Sequence, residues 1–147
     1  MGLAPGVLPS PSSAVVEILG PEHLTEVEVF YRDSYPGTWF HARMLETHRY
    51  VGLREDGNLA SVAGVHVYSP RLGVAALGNV ATHPSARGRG LAMTTCGHLC
   101  HLLQTDRIST ISLNVRADNH AAIDVYERLG FSRAEEYLEV GLGEPTP

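Results

Sequence analysis

Residues 78–92 read GNVATHPSARGRGLA, and this stretch decides the fold because its pattern changes halfway along. Up to His83 the chain follows the two-residue period of a strand, and from Gly90 the apolar residues recur at helical spacing. The loop between them holds two arginines and two glycines. A strand that leads through such a loop into a helix presents unpaired N–H groups and the positive end of the helix dipole to an anion. The pattern is typical of a phosphate cradle and also of a plain tight turn.

The whole chain has the size of one ordinary domain. Its 147 residues are 44% hydrophobic, which is enough for one buried core. No apolar run approaches the ~18–20 residues that cross a bilayer, and the N-terminus lacks the pattern of a secretory signal. We therefore expect a cytoplasmic protein without a membrane partner. The sequence predicts a single domain over residues 14–140, with flexible tails over residues 1–13 and 141–147.

Charge and cysteine usage argue against other classes of protein. The net charge of −5 and the lack of a basic stripe disfavour nucleic acid as a partner. Cys96 and Cys100 lie four residues apart, which fits reduced thiols on one helix rather than a disulfide. With His98 and His101 they offer at most three convergent ligands, fewer than a closed zinc site needs, so we expect no metal.

Hydrophobic periodicity predicts strands that first pair as hairpins and then alternate with helices. The predicted strands cover residues 15–19, 49–54, 59–69, 74–82, 108–115 and 133–140, and the predicted helices cover residues 22–35, 38–46, 91–106 and about 119–129. This order is typical of an α/β or α+β domain with a mixed sheet.

A second stretch, residues 113–131, places two polar side chains on one face of a helix. Asn119 and Tyr126 are seven residues apart, which is two helical turns. Gly130 follows at the position where a helix commonly ends. A tyrosine among apolar residues at this spacing is also typical of a core aromatic whose hydroxyl is satisfied at the edge, so both roles are open at this point.

Together the two stretches resemble the signatures of the GNAT family of N-acetyltransferases. Residues 87–92, with Arg, Gly and Ala at the first, fourth and sixth positions, match the family's Gln/Arg-x-x-Gly-x-Gly/Ala acyl-CoA loop. Residues 119–131 resemble its second signature, in the expected order and separation. The resemblance implies an acyl-CoA N-acyltransferase-like fold, with a mixed, mostly antiparallel sheet of about six strands and about four flanking helices.

The resemblance also implies an activity and roles for individual residues. The enzyme would transfer acetyl from acetyl-CoA to a primary amine of a small molecule or peptide, by direct attack in a ternary complex. Tyr126 would act as general acid, giving a proton to the departing thiolate. The implied cofactor-binding residues are Val80, Ala81, Thr82, Arg87, Gly88, Arg89, Gly90, Leu91, Ala92, Asn119 and Tyr126.

The sequence does not clearly indicate which residue acts as the general base. Members of the family often place Glu or Asp on the strand before the phosphate loop, but residues 74–82 contain neither. His66 and Tyr68, expected on one face of the preceding strand, or a water relayed past Asn79, are the candidates. A histidine at this place is more often a hydrogen-bonded imidazole in the core or lining a pocket than a catalytic one. The candidate substrate-binding residues are Trp39, His66, Tyr68 and Asn79.

Two other functional classes compete with an enzyme. A non-catalytic acyl-CoA-binding sensor or regulatory module would keep residues 87–92 and dispense with acid–base chemistry. A dinucleotide-binding module is excluded because Met93 stands where Gly-x-Gly-x-x-Gly requires its third glycine. The sequence is compatible with a homodimer and leaves the acceptor amine open.

Overall fold

The computed structural model describes residues 1–3 and 15–133, which contain one seven-stranded sheet and three α-helices. The strands are β1 (Gly2–Leu3), β2 (Val16–Leu19), β3 (Tyr50–Glu55), β4 (Asn58–Ser69), β5 (Val74–Thr82), β6 (Thr110–Leu113) and β7 (Phe131–Ser132). The helices are α1 (Leu24–Ser34), α2 (Leu91–Thr105) and α3 (His120–Arg128), with short 3-10 helices at Pro21–His23, Ala42–Thr47 and Pro84–Ala86. Apart from Arg133, the strand predicted over residues 133–140 and the tail over 141–147 lie outside the described residues.

The strand order is β2-β3-β4-β5-β6-β1-β7, and every neighbouring pair is antiparallel except β5 and β6. This confirms the predicted class, a mixed and mostly antiparallel sheet with flanking helices. The short helix predicted over residues 38–46 is a 3-10 helix that begins only at Ala42. Residues 38–41 before it have no regular secondary structure, and the His41 ring caps the helix by accepting a hydrogen bond from Arg43 N.

Strand β1 corrects the expectation of a flexible tail over residues 1–13. Gly2 and Leu3 lie between β6 and β7 and pair antiparallel with both. The N-terminal ammonium donates a hydrogen bond to the Leu113 carbonyl at 2.6 Å, and the Leu3 side chain is buried. These long-range contacts order the first three residues, whereas residues 4–14 lie outside the described part of the chain.

Two apolar clusters pack against opposite faces of the sheet, because successive residues of a strand point to opposite sides. On β3, Val51 belongs to the cluster that contains α2 and α3, and Tyr50 belongs to the cluster that contains α1. We call these sides the α2 face and the α1 face. No helix within the two described ranges has both the length and the apolar character to cross a membrane.

Bulges in β4 and β5 change which side chains share a face. In the pairing of β4 with β5, β5 has one extra residue around Asn79, and β4 has one extra residue at His66. Asn79 takes a left-handed φ of 54°, which asparagine tolerates better than most residues. Beyond its bulge, β4 places Tyr68 opposite Ala75 on the α2 face, while the His66 ring covers Gly78 on the α1 face. The expectation that His66 and Tyr68 share a face is therefore wrong.

Candidate functional site

Strands β5 and β6 separate after a short parallel pairing. Their register runs from Val74 opposite Thr110 to Leu77 opposite Leu113, where β6 ends while β5 continues. Among the described residues, the stretch 78–82 pairs only with β4. One edge of β5 therefore carries backbone N–H and C=O groups without a strand partner, and an extended ligand with amide groups can bind there as a strand would. The sequence-predicted residues Val80, Ala81 and Thr82 lie on this stretch of β5.

The loop after β5 leaves the first turn of α2 open. Gly88 and Gly90 have φ angles of 82° and 75°, and a Cβ on either would meet nothing within 4 Å. Gly90 is the N-cap residue and supplies no capping side chain, and the first turn contains no acidic residue. The N–H groups of Leu91 and Ala92 therefore stand at the positive end of a 15-residue helix, where an anion is stabilised.

Both arginines of the loop are hydrogen bonded within the protein. Arg87 donates from Nε to the Thr82 carbonyl at 3.2 Å and from Nη2 to the Ser34 carbonyl at 3.1 Å, which ties the loop to the end of α1. Arg89 forms an ion pair with Glu55 at the end of β3, with half of the arginine side chain exposed. Exposed pairs of this kind contribute little to stability. The anion cradle therefore rests first on backbone N–H groups, with two nearby positive charges as a second contribution.

Asn119 and Tyr126 lie at the start and near the end of α3. Asn119 caps the helix, because its Oδ1 accepts a hydrogen bond from Ala122 N at 3.2 Å. This leaves its amide nitrogen as a donor to a ligand. The Tyr126 ring packs edge to face against Phe131, with 6.0 Å between ring centroids, and is 9% exposed.

The Tyr126 hydroxyl is a protonated donor that has no acceptor among residues 1–3 and 15–133. Burial raises the pKa of Tyr126, and the neighbouring Cys96 and Tyr35 raise it further. The hydroxyl makes no hydrogen bond to another described residue. A proton donor that bonds to no other described residue is available to a ligand atom.

Asn79 is the centre of a hydrogen-bonded cluster on the α1 face. Its side chain is 4% exposed and donates from Nδ2 to the Trp39 carbonyl and to the Tyr50 hydroxyl, both at 3.0 Å. Its Oδ1 accepts from Thr38 Oγ1 at 2.8 Å and lies 3.1 Å from His66 Nε2. The cluster brings together three of the four candidate substrate-binding residues, Trp39, His66 and Asn79.

Two buried tyrosines join α1 and β3 to the same asparagine. The Tyr31 hydroxyl donates to the Asn79 backbone carbonyl at 2.6 Å. Burial raises the pKa of Tyr50 to about 12, although the hydrogen bond from Asn79 opposes this shift, and burial also raises the pKa of Tyr31. Both phenols are therefore neutral at physiological pH. Gly64 makes room for the Tyr50 ring, since a Cβ there would lie 2.2 Å from it.

A cleft of about 330 Å³ opens beside this cluster, between α1 and the segment that follows it. Its walls are formed by Glu28, Tyr31, Arg32, Tyr35, Pro36, Gly37, Thr38 and Phe40. Tyr31 and Thr38 also bond to Asn79, and Tyr35 is the phenol that raises the pKa of Tyr126. The cleft therefore borders the Asn79 cluster.

Tyr68 belongs to a different cluster, at the end of α2. Its hydroxyl donates to Asp106 Oδ2 at 2.9 Å, and Arg49 binds both carboxylate oxygens from Nε at 2.6 Å and Nη2 at 2.9 Å. Hydrogen bonding from Arg49 holds the pKa of Asp106 below its usual range. This cluster joins the residue before β3 to the end of α2, so we assign Tyr68 to structure and not to the acceptor site.

Asp106→Asn is expected to lower the free energy of unfolding by about 1–3 kcal/mol at pH 7, because Arg49 loses a largely buried ionic partner. The folded-state pKa of Asp106 is lowered, so its contribution is present above the unfolded-state pKa near 3.9 and disappears as the pH falls through the folded-state value. Urea unfolding at several pH values measures this. Asp118→Asn is the control, since its ion pair with Arg116 is exposed and should matter little. Equal losses in the two variants would contradict the argument.

The two cysteines are free and buried. Burial raises the pKa of Cys100 to about 12 and raises that of Cys96 as well. Both therefore stay protonated and are poor nucleophiles and metal ligands. In the part of the chain that the structure describes, no group of three His, Cys, Asp or Glu side chains is placed to hold a metal ion.

Sequence patterns do not reveal four residues that border the site, namely Tyr31, Tyr35, Thr38 and Tyr50. Tyr31 carries a detectable signal, because a tyrosine on the apolar face of a helix needs a partner for its hydroxyl. Thr38 and Tyr50 carry none, since they reach Asn79 from 41 and 29 positions away in the sequence.

Comparison with known proteins places these features in one family. The acetyltransferase (GNAT) family model matches residues 13–131. A ribosomal protein bS18-alanine N-acetyltransferase of Salmonella typhimurium is 40% identical over 88 residues, which are 58% of this chain and 57% of the relative. A mycothiol acetyltransferase of Tsukamurella paurometabola is 34% identical over 83 residues, which are 56% of this chain and 28% of the relative. The chain thus spans about half the length of such relatives, or less.

Solved structures agree with this comparison. The crystal structure of the ribosomal-protein-S18-alanine N-acetyltransferase from Escherichia coli superposes with a TM-score of 0.68 at 28% sequence identity. The match covers 82% of this chain and 79% of that chain.

Proposed function

Because the chain belongs to the GNAT acetyltransferase family, we propose that it transfers an acetyl group from acetyl-CoA to a primary amine by direct attack in a ternary complex. One observation carries the proposal: the unpaired edge of β5 leads straight to the uncapped first turn of α2. A ligand with an amide-bearing arm and a pyrophosphate has a matching site for each part along this path.

The residues present fit acetyl-CoA. Val80, Ala81 and Thr82 offer backbone groups to the amides of the pantetheine arm, and the N–H groups at the start of α2 face the pyrophosphate. Gly88 and Gly90 leave the open space that a backbone approach to phosphate requires. When bound, acetyl-CoA supplies a thioester whose carbonyl carbon accepts the amine nitrogen.

Side chains of this protein donate and accept the protons that move during the transfer. As the N–C bond forms and the C–S bond breaks, Tyr126 donates its hydroxyl proton toward the sulfur. The pKa of Tyr126, raised by burial, keeps that proton on the phenol beforehand and favours its return from solvent afterwards. The proton lost by the amine goes to a base on the α1 face. No covalent intermediate on a protein side chain is needed.

The acceptor that we favour is the α-amine of a polypeptide. Several relatives are named as alanine N-acetyltransferases of a ribosomal protein, and others are named as mycothiol acetyltransferases. The cleft between α1 and the residues after it gives an amine access from the α1 face, next to the Asn79 cluster. An extended peptide terminus can enter such an open cleft without the enclosure that a small ligand prefers.

Acetyl-CoA and CoA are expected to raise the melting temperature, whereas ATP and NAD raise it much less. A ligand that binds only the folded protein stabilises it by ~2.7 kcal/mol at a hundredfold excess over Kd, which corresponds to roughly 5–10 °C for a domain of this size. Differential scanning fluorimetry measures the shift. Equal shifts with ATP and CoA would be consistent with phosphate binding at the start of α2 but would contradict a binding site for the pantetheine arm on β5.

Release of free thiol from acetyl-CoA tests the transfer itself. The panel consists of short peptides with free N-terminal Ala, the same peptides with blocked N-termini and an added lysine, and small primary amines. We expect turnover with the free α-amines and little with the blocked peptides. Tight acetyl-CoA binding without turnover on any amine would support the non-catalytic sensor in place of the enzyme.

A further inference from the structure

The orientation of the Asn79 amide is fixed by its partners. The Trp39 carbonyl oxygen can only accept a hydrogen bond, so the atom 3.0 Å from it is the amide nitrogen. The amide oxygen then faces Thr38 and His66. Since that oxygen can only accept, His66 Nε2 must donate. A neutral imidazole carries one N–H, so the lone pair of His66 is on Nδ1.

The His66 ring is held in place while its basic nitrogen is left open. The ring lies over Gly78, where a Cβ would come within 2.3 Å of it, and meets the Trp39 ring edge to face with 5.9 Å between centroids. His66 itself is exposed on the α1 face, and its Nδ1 makes no hydrogen bond to another described residue. An imidazole fixed on three sides with a free lone pair has the arrangement of a general base.

We propose that Asn79 is a positioning residue, which holds His66 so that Nδ1 takes the proton of the acceptor amine. The inference rests on the proposed acetyl transfer and names its base. The amine nitrogen bonds to the acetyl carbon and passes one proton to Nδ1, while the sulfur leaves and takes a proton from Tyr126. His66 then returns its proton to solvent, and Tyr126 regains one, so the protons balance.

Besides His66, the titratable side chains in the described ranges that hydrogen bond to Asn79 are neutral phenols. Tyr31 and Tyr50 bond to Asn79, and burial raises the pKa of both. No ionised side chain of the described residues forms an ion pair with the His66 ring.

A double-mutant cycle separates this role from a structural one, because residues that act through each other are not additive. His66→Gln is expected to lower kcat by roughly 10²-fold, and Asn79→Gly, which suits the left-handed backbone at φ 54°, by about tenfold. In the double variant the Asn79 change should add less than about twofold. Tyr68→Phe is the control, since it removes a hydrogen bond to Asp106 on the α2 face and leaves the contact between Asn79 and His66; it should lower stability with little effect on kcat.

Asn79→Asp supplies a readout that does not depend on the level of activity. A carboxylate facing Nε2 favours the protonated ring, so the acidic limb of kcat/KM against pH should move to higher pH by about one unit or more. An unmoved limb, or additive losses in the cycle, would overturn the positioning role. Unchanged turnover in His66→Gln would overturn the base and leave acetyl transfer intact. A wild-type protein without acetyl transfer would overturn the proposed function and this inference with it.

Discussion

Replacing Tyr126 by phenylalanine is expected to lower kcat by roughly 10²-fold, while the Kd of acetyl-CoA and the melting temperature stay close to those of wild type. The ring and its packing on Phe131 remain, and only the hydroxyl is lost. That hydroxyl bonds to no other described residue, so its removal leaves no orphaned partner in the fold. The full loss should therefore fall on the step in which the sulfur departs.

Steady-state kinetics and thermal melting on the same preparation separate the two possible roles of Tyr126. A hydroxyl that merely completes the core would cost about 1 kcal/mol of stability and leave turnover almost unchanged. Tyr68→Phe is the matched control, because its hydroxyl bonds to Asp106 and should affect stability alone. A loss of turnover of tenfold or less in Tyr126→Phe would assign the proton donor to water or to another residue.

The sequence predicts best where the chemistry is local. Strand β5 occupies the predicted residues 74–82, because alternation of small apolar residues ends at His83-Pro84. Helix α2 begins at Leu91 after a glycine in the left-handed region, and α3 begins after Asn119, whose side chain caps it. In each case a few neighbouring residues determine the boundary, so one sequence is enough to find it.

Pairing between segments that are far apart in the sequence could not be predicted from the sequence. Strand β1 has only two residues, in a stretch rich in Gly and Pro, and it exists because Gly2 and Leu3 find partners on β6 and β7. The bulges at His66 and Asn79 depend on the register between β4 and β5, and each shifts the alternation of its strand by one. A strict two-residue period therefore placed Tyr68 on the wrong face.

The two halves of the candidate site differ in the same way. The cofactor side follows from residues 87–92 and 119–131, where spacing along one segment fixes the geometry. The acceptor side depends on α1, β3 and the segment that contains Thr38, all meeting at Asn79. An asparagine inside an apolar strand indicates locally that polar groups from other elements contact the strand there, because a buried amide must satisfy its hydrogen bonds. Its partners can be found only from the fold.

Gly90→Val is expected to weaken CoA binding by about 10²-fold or more. Valine is strongly disfavoured at the φ of 75° that Gly90 adopts, so the first turn of α2 must shift. A shift that breaks one or two hydrogen bonds from backbone N–H groups to a charged phosphate costs about 1.5–3 kcal/mol for each, and every 1.4 kcal/mol is tenfold in Kd. Isothermal titration calorimetry with CoA measures the change.

Backbone strain alone would also reduce stability, so the binding loss needs a control with the same strain in a different place. Gly57, in the turn between β3 and β4, has a φ of 80° and equally open space around its Cβ position. Gly57→Val and Gly90→Val should therefore lose similar stability, about 1–3 kcal/mol each, and only Gly90→Val should lose affinity for CoA. Since the two variants share the strain and only Gly90→Val disturbs the start of α2, an equal loss of affinity in both would trace the effect to global destabilisation. Unchanged CoA affinity in a folded Gly90→Val protein would remove the pyrophosphate from the start of α2.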